Sequence, residues 1–267
     1  MKTKKIIAFA VVFIIIATVG SALLYAGSWP PIYAVESESM EHSSAWTYGT
    51  INVGDLVFVK NIHDNSANVV TFIQGKETGY KTYGEYGSVI LYNAPNGEII
   101  IHRAMFYLSW NNGNAVVAGY TNQSWIKVTN SYVVIDNASY TGRNLIVYIS
   151  DFQNQSGFVT VGDYNLATSP IYNATENAYV AADQNVFGYS PVNPHEILGV
   201  SFGQVPWIGL IKLNLMRISG GWPQYNQVPS NAYLFLGITI IAVFIAIFFP
   251  YERVFKGKNQ PRDKRKQ

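Results

Sequence analysis

Hydrophobic positions along this chain fall into two patterns. At each end lies a long uncharged apolar run: residues 6–26, IIAFAVVFIIIATVGSALLYA, and residues 232–249, AYLFLGITIIAVFIAIFF. About 20 apolar residues rising 1.5 Å each in a helix match the thickness of a bilayer core. The pattern therefore predicts a helical anchor at each end. Between them, apolar residues come in short clusters rich in Val, Ile, Tyr and Phe, punctuated by Gly, Asn, Asp and Pro. These are DLVFVK (55–60), VVTFI (69–73), SVILY (88–92), EIIIHRAMFYL (98–108), AVVAGY (115–120), YVVI (132–135), LIVYIS (145–150), FVTVG (158–162) and ILGVSF (197–202). Such clusters suit strands, and Asn96-Gly97 between two of them is a hairpin signal. No sustained 3.6-residue apolar period interrupts them. The expectation is an all-β, mostly antiparallel domain carried on two transmembrane helices.

The boundaries that follow are a stub and anchor at 1–26, a β domain at 27–230, a second helix at 231–250 and a basic tail at 251–267. A basic start and the small residues near Ala26 would also suit a cleaved signal peptide. Its apolar region is typically ~7–15 residues, and this run is longer, so an uncleaved anchor is favoured.

Charge changes the picture by giving the anchors a direction. The overall +2 averages two basic ends and a middle, 27–230, with eight Lys and Arg against fourteen Asp and Glu. Positive flanks stay on the cytoplasmic side. The expectation is a two-pass protein of the cell membrane, both termini cytoplasmic, with the domain outside. The basic tail suits anionic lipid rather than nucleic acid. Four Asn-x-Ser/Thr sequons, at Asn122, Asn137, Asn154 and Asn173, agree with an outside location. The chain has no cysteine, so no disulfide staples the domain, and about 200 residues bury an adequate core without one.

One local cluster carries candidate chemistry: Ser37-Glu38-Ser39-Met40, shortly after the first apolar run. A serine hydroxyl needs a neighbouring base to become a good nucleophile. His102 lies within an apolar strand and fits that role. Its neighbour Arg103 stays protonated. Lys60 borders a polar stretch, and a lysine base requires desolvation. His42 is close in sequence but sits in a loop, which ranks it below His102. The four histidines, His42, His63, His102 and His195, lack metal-site spacing, and no Gly-rich phosphate loop occurs. No metal or cofactor is expected.

In order along the chain stand AVESESMEHS (34–43), VGDLVFVK (53–60), GSVILYNAPNGEIIIHRAM (87–105), FVTVGDYN (158–165) and HEILGVSFGQVPWIGLI (195–211). Taken together these blocks resemble the type I signal peptidases, closest to the archaeal and endoplasmic-reticulum branch in which histidine replaces the bacterial catalytic lysine. The resemblance implies that Ser39 is the nucleophile and His102 the general base. It further implies that the Ser37 hydroxyl and the Ser39 backbone N–H hold the oxyanion. The family's Gly-Asp-Asn-Asn block is Gly162-Asp163-Tyr164-Asn165 here, and the second aspartate expected about six residues later is Ser169. Counting back from Ile197-Leu198-Gly199 points to Asp183 as the acid that orients the histidine, with Asp163 as a nearby support. Either aspartate would also suit an Asx turn.

Other departures are Glu38 between the two serines, where its charge would raise the pKa of His102 if the two lie close, and His42 in place of the usual proline. Residues 106–157 exceed the family's connection and suggest an added surface hairpin. The implied function is a membrane-bound serine endopeptidase that removes signal peptides from preproteins after small residues. Its partners would be those signal peptides, membrane lipid and the export machinery, with no nucleic acid. Two alternatives stay open: a protease dedicated to a narrower precursor class, and a non-catalytic accessory protein of the same fold.

Overall fold

A computed structural model describes residues 2–248. It opens with α1 (Lys2–Ala26), β1 (Ile32–Ala34), a single 3-10 turn at Glu38–Met40, and β2 (Leu56–Lys60). There follow α2 (Phe72–Thr78), the ribbon β3 (Lys81–Thr82) and β4 (Glu85–Tyr86), β5 (Val89–Asn93), β6 (Ile99–Asn111) and β7 (Asn114–Val117). Next come β8 (Ile126–Val128), β9 (Tyr132–Ile135), β10 (Leu145–Tyr148) and β11 (Gly157–Val161). The chain continues through α3 (Asp163–Thr168), β12 (Tyr172–Asn173), β13 (Ala178–Val180) and α4 (Asp183–Phe187). It ends with β14 (Ile197–Val205), α5 (Gly209–Ile218) and α6 (Ala232–Phe248).

The larger sheet runs β1-β2-β14-β5-β6-β11, with β7 folded back on β6, and every pair in it is antiparallel. The second sheet runs β12-β13-β10-β9-β8, with β10 and β13 parallel. The main core lies where these sheets meet α2 and α3, and includes Phe72, Phe106, Leu108, Ile135, Leu145, Val159 and Leu166. A separate cluster of Val35, Met40, Val57, Val59, Val89 and Leu91 seats the 3-10 turn on the larger sheet. Burying each such side chain stabilises by roughly 1.5–3 kcal/mol. Met40, almost completely buried, is therefore the anchor of the turn that carries Ser39.

Two expectations are corrected. The fold is not all-β: 32% of it is helix and 28% strand, so it is a mixed α/β fold with several antiparallel sheets. Part of the difference is local. VVTFI was expected as a strand, but the Thr71 side chain accepts from Gln74 N at 3.4 Å while Gln74 Oε1 accepts from Thr71 N at 2.9 Å. This reciprocal cap starts a helix. In α5, Leu210 and Leu213 pack inward while Ile211, Leu215 and Ile218 face out. With apolar residues on both faces, no amphipathic period stands out.

The two-pass location is also overturned. Among the described residues no helix is long and apolar enough to cross a membrane. The described part of α6 has 17 residues, about 26 Å at 1.5 Å each, short of a hydrocarbon core of ~30 Å. The last turn of α1 is docked on the sheets: Ala26 is buried and accepts from Asn61 N at 2.8 Å, and Tyr25 packs edge-on against Phe202. The basic tail at 251–267 and the end of the second apolar run lie outside the described residues.

Candidate active site

Ser39 lies in the turn between β1 and β2, and that turn is tied down from several sides. The Trp222 indole N–H donates to Glu36 O at 2.9 Å, and Glu38 N donates to Gln227 Oε1 at 3.2 Å. Val35 N donates to Asp55 O at 2.9 Å, and Glu41 N closes the turn onto Glu38 O at 2.9 Å. The Glu41 side chain is buried and accepts from Val53 N at 2.8 Å; burial pushes its carboxyl up to about 8. Asp55 is fully buried beneath this segment. It accepts from Trp46 Nε1, Asn52 N and Trp207 N, each at 3.0 Å, and burial raises its pKa despite those donors. The Gly-Asp-Leu-Val block thus supplies a bracket for the turn and the segment before α5.

His102 stands on β6 opposite Ile90 of β5 and is almost completely buried. Its Nδ1 lies 2.6 Å from Asp183 Oδ2. The same carboxylate oxygen accepts from Thr160 Oγ1 at 2.6 Å and from Tyr92 OH at 2.8 Å. Gln184 in turn fixes Thr160, accepting from its backbone N at 3.0 Å and donating to its Oγ1 at 3.2 Å. Burial and the Asp183 charge push the Tyr92 hydroxyl up, so it stays protonated as a donor. A carboxylate only accepts. The proton in the short contact therefore sits on Nδ1, which leaves Nε2 as the free acceptor.

Nε2 faces Gly162 and the Ser39 turn. A Cβ built on Gly162 would lie 2.8 Å from His102 Nε2 and 2.6 Å from Ser39 O. Only a residue without a side chain lets these two elements meet. Ser39 Oγ is half-buried and receives a 3.4 Å hydrogen bond from Ser37 Oγ, rather than bonding His102. The arrangement gives a serine beside an oriented imidazole, with a second hydroxyl two residues before it.

Asp163, expected as a nearby support, lies beside Gly162 and makes its side-chain bonds to other residues. It sits at the start of α3 and faces Arg103 and His42 instead of His102. Arg103 Nε donates to its Oδ1 at 2.8 Å and an Arg103 terminal nitrogen to its Oδ2 at 2.7 Å. His42 Nε2 lies 2.9 Å from Oδ2. Burial alone would raise the Asp163 pKa; the Arg103 guanidinium and His42 outweigh it and hold it at about 2. The other Arg103 terminal nitrogen donates to carbonyls along the β3–β4 ribbon, including Gly87 O at 3.0 Å. Ser169, where the family's second aspartate was expected, is buried and donates to Val180 O at 2.6 Å. The rejected base Lys60 is exposed at the end of β2, with its ammonium 4.3 Å from the centre of the Tyr25 ring.

Sequence reasoning missed Tyr92, Thr160 and Gln184, and read Gly162 only as part of the Gly-Asp block. Tyr92 and Thr160 read as ordinary strand residues, and only their convergence on Asp183 distinguishes them. The 106–157 segment is more than a hairpin: it supplies β7 and three strands of the second sheet. No protein-family model matches this chain, and no curated protein matches it.

Proposed function

We propose that this protein is a serine endopeptidase of the signal-peptidase kind, cutting leader segments of preproteins after small residues. The observation that carries the reading is the short contact between His102 Nδ1 and Asp183, with Nε2 turned toward the Ser39 turn across Gly162. Ser39 Oγ attacks the scissile carbonyl carbon while His102 Nε2 takes its proton. Asp183 stabilises the imidazolium that forms and keeps the ring in the productive tautomer. The tetrahedral oxyanion takes hydrogen bonds from the Ser37 hydroxyl and the Ser39 N–H, donors worth roughly 3 kcal/mol each in a water-poor site. As the intermediate collapses, Nε2–H protonates the leaving amine, and an acyl group remains on Ser39. Water, activated by the same imidazole, then hydrolyses the ester. Before attack, Ser39 Oγ must leave Ser37 and turn to His102; such bonds often tighten only when substrate binds.

That resting contact between the two serines is also what a non-catalytic protein of the same fold would show, and this is the second reading. Ser39→Ala in the full chain, assayed on a preprotein with small residues at and two before the cleavage point, decides between them. The endopeptidase reading expects cleavage to fall by about 10³-fold or more with an unchanged melting temperature. Cleavage that Ser39→Ala leaves unchanged would overturn Ser39 as the nucleophile, and no cleavage by the wild-type protein is the result the second reading expects.

A further inference from the structure

Three residues after Ser39, His42 makes two specific contacts with elements distant in sequence. Its Nε2 lies 2.9 Å from Asp163 Oδ2, 121 residues along the chain. Its ring stacks on Tyr140 with centroids 4.1 Å apart and planes 19° from parallel. The edge of the ring also closes on Gly84, where a Cβ would come within 3.2 Å of Cε1. Tyr140 belongs to the β9–β10 loop, part of the segment that exceeds the family pattern. That loop is itself fixed to α3, because Arg143 donates to Ser169 O at 2.9 Å and Leu166 O at 3.3 Å. Asp163 is held by the fully buried Arg103, and Gly162 beside it is the glycine that separates Ser39 from His102.

We propose that His42 is a positioning residue, clamping the Ser39 turn at the correct distance from His102 and coupling the second sheet to the nucleophile through Tyr140. The chemistry is consistent at each contact. Asp163 already pairs with Arg103 and accepts one further N–H, which neutral or protonated imidazole provides. Tyr140 restrains the plane of the ring, and the absence of a side chain at Gly84 makes the space its edge occupies. The role answers a need of the local chain: Glu41 leaves the turn in an extended conformation, and no helix or strand defines the path from His42 to β2. A displacement of about 1 Å at a nucleophile costs up to 10²-fold in rate. A clamp three residues away is therefore close enough to matter without touching substrate.

This role rests on the endopeptidase reading, and the test separates the two. His42→Ala, His42→Gln, Tyr140→Ala and Tyr140→Phe are compared with wild type in the full chain. The readouts are kcat and KM on one peptide substrate, and the rate at which a fluorophosphonate labels Ser39. His42→Ala is expected to lower kcat and the labelling rate about 10–100-fold with KM nearly unchanged. His42→Gln keeps an N–H for Asp163 but gives up the ring stack, and recovers only part of the loss. Tyr140→Phe keeps the stack and behaves as wild type, whereas Tyr140→Ala follows His42→Ala. The double alanine variant is no worse than either single one, as expected for residues acting as one unit.

If wild type is labelled at Ser39 and His42→Ala reacts at the same rate, the clamp is refuted and the protease reading stands. A loss in His42→Ala matched by a collapse of the melting temperature, with no rescue by Gln, also refutes it, because the residue would then only hold the fold. If wild type takes no label and Ser39→Ala still cleaves, the endopeptidase reading itself has failed.

Discussion

Asp183→Asn isolates the charge that the site places behind His102. Oδ2 of Asp183 accepts three donors, from His102 Nδ1 at 2.6 Å, Thr160 Oγ1 at 2.6 Å and Tyr92 OH at 2.8 Å, while Oδ1 is buried with no partner among the described residues. Asparagine has two ways to fit. With its oxygen at the Oδ2 position it keeps all three bonds but puts an NH₂ where Oδ1 has no partner, an unsatisfied donor costing about 1–3 kcal/mol. With its NH₂ at the Oδ2 position it opposes three donors and forces His102 into the tautomer whose Nε2 carries the proton, which cannot accept from Ser39. The first orientation is the cheaper one, and it still removes the negative charge that stabilises the imidazolium in the transition state. The expected fall in kcat is about 10³–10⁴-fold, or roughly 4–5.5 kcal/mol at 1.36 kcal/mol per tenfold. KM should stay nearly constant, because Asp183 is fully buried and touches no substrate. Initial rates on a quenched fluorescent peptide, with melting curves alongside, provide the assay. A kcat within tenfold of wild type in a folded Asp183→Asn protein would refute the assignment of Asp183 as the orienting acid.

Three further outcomes follow from the same contacts. Gly162→Ala puts a methyl group 2.6–2.8 Å from Ser39 O, Asn165 Nδ2 and His102 Nε2; kcat should drop at least 10²-fold, and a fully active Gly162→Ala enzyme would contradict the geometry. Asp163→Asn leaves the buried Arg103 charge without its partner and should cost about 3–5 kcal/mol of stability in urea titrations; a loss under 1 kcal/mol would show the pair to be dispensable. Glu41, with its carboxyl raised to about 8 in the fold, holds a proton there that the unfolded chain releases above about 4.3. Its contribution to stability is therefore complete at low pH and lost as pH rises through 8. Melting temperatures from pH 5 to 8 should decline less steeply in Glu41→Gln than in wild type, and identical slopes would remove Glu41 from the account.

Much of this protein is legible in the order of its residues. Strands such as LVFVK, VILYN and LIVY announce themselves because β-branched and aromatic residues between turn formers favour extended backbone over any local alternative. Ser39 and His102 could be singled out as candidates because nucleophile and base chemistry restricts residue type, and Asp183 only through the family resemblance, by counting back from Ile197-Leu198-Gly199. The helix that starts within VVTFI was also legible, since Thr71-x-x-Gln74 is a local capping signal that the apolar run obscured. Other features were not determined locally. The apolar ends gave no helix among the described residues able to cross a membrane. Asp163 and Asp183 look alike in sequence, each opening a short helix. Only the packing of β6 between β5 and β11 sends Arg103 to one carboxylate and His102 to the other. Adjacent strand residues point to opposite faces, so neighbours in the chain acquire separate partners 60 and 81 residues away. Residue identity and spacing set which chemistry was available; the register of the sheet decided which acid meets His102 and which one meets Arg103 and His42.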